Sequence, residues 1–213
     1  MPVLARDSRG DGLRLAVGTA VVVASMVVLF TVPSRYFVAA TYGSMTCMIG
    51  ATYLVTRYRG LFRPSGRSLA FGLATAVALY ALFYLGNAGV TALRPFGMNP
   101  GSETSIYSLI ASPSNPLYLQ VGVLAFDAVG YESFFRGVLL TRLSRRTGVG
   151  SVFIVALLDA ALHIVTMNPL WVATTFVADS VWGVTYYRTR DLTSSVTSHF
   201  VWDIVIFLLL PIG

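Results

Sequence analysis

The sequence predicts an all-α integral membrane protein, a bundle of about seven transmembrane helices forming one membrane domain over residues 1–213. Three observations predict it. Of the 213 residues, 55% are hydrophobic and only 11% are charged, and the mean hydropathy is +0.72; a soluble domain carries about 25% charged residues. Apolar runs of spanning length recur along the whole chain, separated by proline, glycine and arginine. The arginines also fall on alternate loops, as membrane topology requires.

Leu13 to Val32 is the first run. A secretory signal would be cleaved near Ala39-Ala40, but the run exceeds a signal core and has the length of a retained span. Tyr36 to Thr56 is the second, closed by a basic loop, Arg57 to Arg67, that Pro64 and Gly66 punctuate. Ser68 to Leu93 is the third, where Gly72 and Ala76 permit close helix approach, and Arg94-Pro95 stops it. Residues 94–116 are the long connector, with Ser105–Ser112 as a short interfacial helix. The remaining runs are Leu117 to Leu143, Ser151 to Met167, Pro169 to Tyr187 and Thr193 to Leu210. Residues 1–59 supply the N-terminal helices and 60–210 the core.

All fifteen basic residues are arginine. Twelve of them lie on the side of the N-terminus; Arg35 and Arg94 lie opposite, and Arg136 is inside a span. The positive-inside rule then places the N-terminus in the cytoplasm of a multi-pass cell-membrane protein and the C-terminus outside. The net charge of +6 reflects this asymmetry rather than a nucleic-acid footprint, so the expected partners are membrane lipid and a peptide or membrane-protein substrate. The single cysteine, Cys47, excludes an intramolecular disulfide and a cysteine-based metal site.

The polar residues inside the spans carry the chemistry. A charge at a helix centre costs about 2.5–3.5 kcal/mol on insertion scales, so each should face protein or a wet cavity. Glu132 and Arg136 are one helical turn apart with the acid first, the favourable order for an ion pair. Asp127 and Tyr131 have the same spacing on a neighbouring face. Both histidines of the chain are intramembrane, and each has an acid one turn away: Asp159 with His163, and His199 with Asp203. A carboxylate beside a histidine fixes its tautomer and raises its basicity, which suits a general base or a metal ligand. One such pair is commonly helix-to-helix glue; three pairs that include every histidine point to a shared polar site. Asp179 has no partner at helical spacing and reads as structural or cavity-lining. The chain has neither a His-Glu-x-x-His zinc helix nor a Gly-x-Ser-x-Gly nucleophile elbow.

These residues resemble the CAAX-processing and bacteriocin-processing (CPBP, or Abi) intramembrane proteases, which include the prenyl-protein endoproteases. The first family motif, Glu-Glu-x-x-x-Arg followed by Gly, is met here by Tyr131-Glu132-Ser133-Phe134-Phe135-Arg136-Gly137. The second, Phe-x-x-x-His, is met by Asp159-Ala160-Ala161-Leu162-His163, and the third, His-x-x-x-Asn/Asp, by His199-Phe200-Val201-Trp202-Asp203. The approach Tyr186-Tyr187-Arg188-Thr189-Arg190-Asp191-Leu192 is also similar to the family's. The resemblance implies a water-activated endopeptidase in which the second-motif histidine and the first glutamate activate water, and the third-motif pair faces the oxyanion.

Two family positions depart from the pattern: Tyr131 replaces the water-activating glutamate, and Asp159 replaces phenylalanine. Tyrosine is a neutral phenol near pH 7 and no carboxylate base. The expected catalytic residues are therefore Glu132, Asp159, His163, His199, Asp203 and Arg136. Glu132, Asp159 or Asp127 supplies the carboxylate, and Arg136 neutralises Glu132. Tyr131 and Asp127 line the substrate site. A second reading is a catalytically inactive CPBP fold that binds a peptide or membrane partner, a pseudoprotease, with Tyr131 hydrogen-bonded to a neighbour such as Asp127. The resemblance implies chemistry without a cofactor; zinc on His163 and His199 with acids is the alternative.

Overall fold

The computed structural model describes residues 9–56, 60–92 and 115–212. The connector at 94–114 with its Ser105–Ser112 segment, and Arg6, Arg57 and Arg59 of the basic flanks, lie outside the described residues. The described chain is all-α, with seven helices and no strand. They are α1 (Arg9–Thr31), α2 (Phe37–Val55), α3 (Gly66–Ala92), α4 (Leu117–Tyr131, running on through Glu132–Leu140 to Thr147), α5 (Gly150–Leu162), α6 (Pro169–Thr189) and α7 (Leu192–Asp203, running on through Ile204–Leu209). Four segments are long and apolar enough to cross a membrane by themselves: Gly10–Thr31, Ser34–Val55, Gly66–Ala92 and Leu192–Leu209. Three of the helices that carry the site fall short: α4 holds Asp127, Glu132 and Arg136, α6 holds Asp179, and α5 with His163 is shorter; the fourth, α7 with His199 and Asp203, does not.

Local signals place the helix ends. Asn168 caps α6, its side chain accepting from the Leu170 and Trp171 N–H groups at 3.1 Å, with Pro169 in the first turn, where a missing N–H costs nothing. Asp191 caps α7 by accepting from Thr193 N–H at 2.9 Å, and it also accepts from Arg63 N–H at 2.9 Å. The Leu192 N–H donates to Leu61 carbonyl oxygen at 2.9 Å. These bonds tie the turn before α3 to the turn before α7.

Small residues set the close crossings. A Cβ on Gly72 would stand 2.6 Å from the Ser194 carbonyl oxygen, so α3 meets α7 backbone to backbone. Gly183 meets Val152 between α6 and α5, and Gly130 meets Met45 between α4 and α2. Large apolar side chains such as Leu13, Val77 and Leu157 face outward, as lipid requires. The main packed core runs along the bundle, from Met26, Leu29 and Phe37 through Met45, Met48, Phe134 and Phe135 to Val55, Leu61, Leu140, Val152, Tyr186 and Leu192. The last group lies where α2 and α6 end and α5 and α7 start.

Candidate active site

Two helices change their winding at the site. The α-helix of α4 gives way to a π-helical stretch at Glu132, and α7 does so at Ile204, directly after Asp203. Such wide turns displace the side chains that follow, and they concentrate at functional sites. The α5 helix ends at Leu162, so His163 opens a 3₁₀ turn that Met167 closes in the left-handed conformation, φ 54°.

His199 is the centre of one group. Its Nδ1 lies 3.0 Å from Glu132 Oε1, and its Nε2 lies 3.5 Å from Asp203 Oδ2 and 3.7 Å from Asp127 Oδ2. With Glu132 as the acceptor, Nδ1 carries a proton, and Nε2 faces the two aspartates. Trp182 stacks on the imidazole, centroids 3.7 Å apart and planes 14° from parallel. Behind the histidine, Glu132 Oε2 is 3.4 Å from Arg136 Nε. Arg136 Nη2 reaches the Asp179 carboxylate at 2.5 Å and its main-chain carbonyl oxygen at 3.1 Å. Glu132 is 0% and Arg136 1% exposed, so this is a fully enclosed ion-pair relay.

His163 is the centre of the second group. Its Nδ1 is 3.0 Å from the main-chain oxygen of Asp159, which makes it the donor, and 3.8 Å from Asp159 Oδ1. Neither carboxyl oxygen of Asp159 has a hydrogen-bond partner, although the residue is 1% exposed. Phe30 and Trp171 flank the ring at 4.5 and 5.8 Å between centroids.

Both histidines, with Asp127, Tyr131, Asp159, Asp179 and Asp203, line one cavity of about 400 Å³. Glu132 and Arg136 do not line it. Each Glu132 oxygen already faces a partner, His199 or Arg136, so Glu132 is placed to hold His199 rather than to meet a substrate. Tyr131 does not bond Asp127: its hydroxyl donates to Met26 Sδ at 3.3 Å, its ring stacks on Phe135, and it stands 6.1 Å from the His199 ring. The phenol is turned into the α1 contact and away from the acid one turn below it.

Among the described residues, the group with metal-ligand spacing is Asp127, His199 and Asp203, whose ligand atoms lie within 4.8 Å of one another. His163, expected to share a metal with His199, is not part of it.

Three contacts escape a reading along the chain. Asp179 finds its partner Arg136 across the bundle, Met26 meets Tyr131, and Trp182 covers His199. The one local signal was the spacing of Asp179 and Trp182, which share a face of α6.

Residues 113–205 match the family model of type II CAAX prenyl endopeptidase Rce1-like proteins. No curated protein and no solved structure matches the chain. The match to the Rce1-like model, over a segment that holds all three motifs in order, supports a CPBP-family membrane protease.

Proposed function

We propose that this chain is an intramembrane endopeptidase of the CPBP type, seated in the cell membrane with its N-terminus in the cytoplasm and its C-terminus outside. The observation that carries this reading is the convergence of His163, His199 and four carboxyl groups on one cavity from four helices. His163 is the general base. Its Nδ1–H is held by the Asp159 carbonyl oxygen, so Nε2 takes a proton from water, and the Asp159 carboxylate beside it stabilises the imidazolium. The hydroxide attacks the scissile carbonyl carbon, and the charge moves to its oxygen. His163 then returns the proton to the leaving amine.

Donors for the oxyanion come from the opposite wall. Asp203 supplies none as a carboxylate, but Trp182 and Trp202 line the cavity, and their indole N–H groups are buried without a partner. Preorganised donors of this kind are worth about 3–4 kcal/mol each at an oxyanion. Glu132, Arg136 and Asp179 position His199.

The test is cleavage of a membrane-anchored peptide by purified protein. His163→Ala should lower the rate by about 10²–10⁴-fold, the contribution of a positioned base. Activity that appears only in Tyr131→Glu would instead make the natural protein a CPBP fold that binds its partner without cutting it.

A second reading is favoured by the Asp127, His199 and Asp203 group. A Glu132 carboxylate behind a histidine whose other nitrogen faces two acids is the usual support of a metal-bound imidazole. A divalent cation there would activate water directly. Metal content of the purified protein decides it: a stoichiometric ion lost in Asp127→Ala supports this reading, and equal trace content in both proteins removes it.

A further inference from the structure

We infer that the cavity admits its substrate from the non-cytoplasmic side of the membrane, so that the substrate is an apolar segment of a secreted or membrane protein reached from the outer leaflet. The chemistry rests on the endopeptidase reading; the side of access does not.

The helices are joined in turn, so their ends sort into two faces. The end of α1 and start of α2 share one face with the end of α3, the start of α4, the end of α5, the start of α6 and the end of α7. The cavity draws its wall from this face on every helix. Phe30 closes α1 and Thr41 lies in the first turns of α2; Asn87 lies near the end of α3 and Leu124 early in α4. His163 ends α5, Thr174 is in the first turns of α6, and Phe207 is in the last turn of α7. On the other face Val55, Leu61, Leu140, Val152, Tyr186 and Leu192 pack together, and the open groove there, along Phe71, Thr75, Phe153, Ser180 and Arg188, shares no lining residue with the cavity.

The arginines sort by the same two faces. Arg63, Arg67, Arg142, Arg145, Arg146, Arg188 and Arg190 all belong to turns at the packed face. Arg35 stands at the cavity face. Arginine-rich turns stay in the cytoplasm, so the packed half is cytoplasmic and the cavity half is not. The charge along the chain and the position of the histidine-lined cavity in the fold agree on the described helices.

The wall chemistry gives the class of ligand. Phe30, Phe83, Trp171 and Trp202 surround the polar centre, which suits apolar side chains on both sides of the scissile bond. A prenylated C-terminus in the cytoplasmic leaflet would meet the packed face instead.

Cysteine accessibility tests the side without needing activity. The sole cysteine is first removed as Cys47→Ala, and single cysteines are added as Asn87→Cys or Thr174→Cys at the cavity, or as Thr147→Cys at the exposed packed face. A membrane-impermeant maleimide should label the two cavity variants in intact cells and the Thr147 variant only in inside-out vesicles. Cavity cysteines that label only from the cytoplasmic side, or from neither side, overturn the inference. Peptidase loss in His163→Ala is read separately, so a failure of catalysis and a failure of sidedness remain distinguishable.

Discussion

Replacing Arg136 by methionine is the sharpest test of the enclosed relay. The guanidinium is the cation for two carboxylates, Glu132 at 3.4 Å and Asp179 at 2.5 Å, and all three side chains are at most 2% exposed. It also lies over the Trp182 ring, 5.8 Å from the centroid. Removing one partner of a buried pair costs about 3–5 kcal/mol, because the other charge stays buried and unpaired. Here two acids lose one cation, so Arg136→Met should cost about 5 kcal/mol, much of the stability of an ordinary domain. The double variant Arg136→Met/Asp179→Asn should recover about 2–3 kcal/mol of that loss, the range of coupling seen for residues in direct contact. Reversible unfolding in detergent measures the four corners of the cycle. Single costs that add to within about 0.5 kcal/mol would show two independent sites and refute the relay. Activity gives a second readout: Asp179→Asn should lower kcat more than KM, since it loosens the hold of Arg136 and Glu132 on His199.

Other expectations follow from the geometry. Gly72→Ala would put a methyl 2.6 Å from the Ser194 carbonyl oxygen and 2.8 Å from Thr197 Cβ. It should cost about 1–3 kcal/mol by overpacking despite the better helix propensity of alanine, and a variant as stable as the parent would disprove the close α3–α7 crossing. Asp191, at the arginine-rich face outside the spans, is raised by burial but lowered more by the Ser68 hydroxyl and the Thr193 and Arg63 N–H groups, so its carboxyl lies below the ordinary value. Its stabilising effect is therefore full above about pH 4 and fades as the pH falls through the lower folded value. Asp191→Ala should cost about 1 kcal/mol as a lost cap in neutral solution, with the deficit shrinking in acid. A deficit independent of pH down to full protonation would exclude the charge as its cause. Trp182→Phe keeps a ring against His199 but removes the indole N–H, and a kcat loss of about 10²–10³-fold is expected if that N–H faces the oxyanion. An unchanged kcat would leave the role to Trp202.

The fold was legible wherever the physics is local. Length and apolarity mark a span because hydrocarbon tolerates few charges, and α1, α2 and α3 fall close to their runs. The caps are local too, although the runs alone did not name them: Asn168 before Pro169 and Asp191 before Leu192 satisfy backbone groups within a few residues. Less was visible at the helix ends inside the site. His163 was expected within a helix but opens a 3₁₀ turn, and the run expected to stop at Leu143 continues to Thr147 through a π stretch. Winding of this kind answers to neighbours on other helices, which periodicity along one helix does not record.

The candidate site divides in the same way. Glu132–Arg136, Asp159–His163 and His199–Asp203 are pairs at one-turn spacing, so a sequence read with a helical ruler contains them. From sequence alone came a membrane bundle, its arginine asymmetry and three polar pairs awaiting a common centre. Tertiary structure alone decided what each pair faces. It joined His199 to Glu132 and Arg136 to Asp179, turned Tyr131 toward Met26, and left Asp159 open to a cavity in one half of the bundle. The reason is physical: i,i+4 contacts depend on the pitch of a single helix, whereas contacts between helices depend on where small residues such as Gly72, Gly130 and Gly183 let the backbones come close.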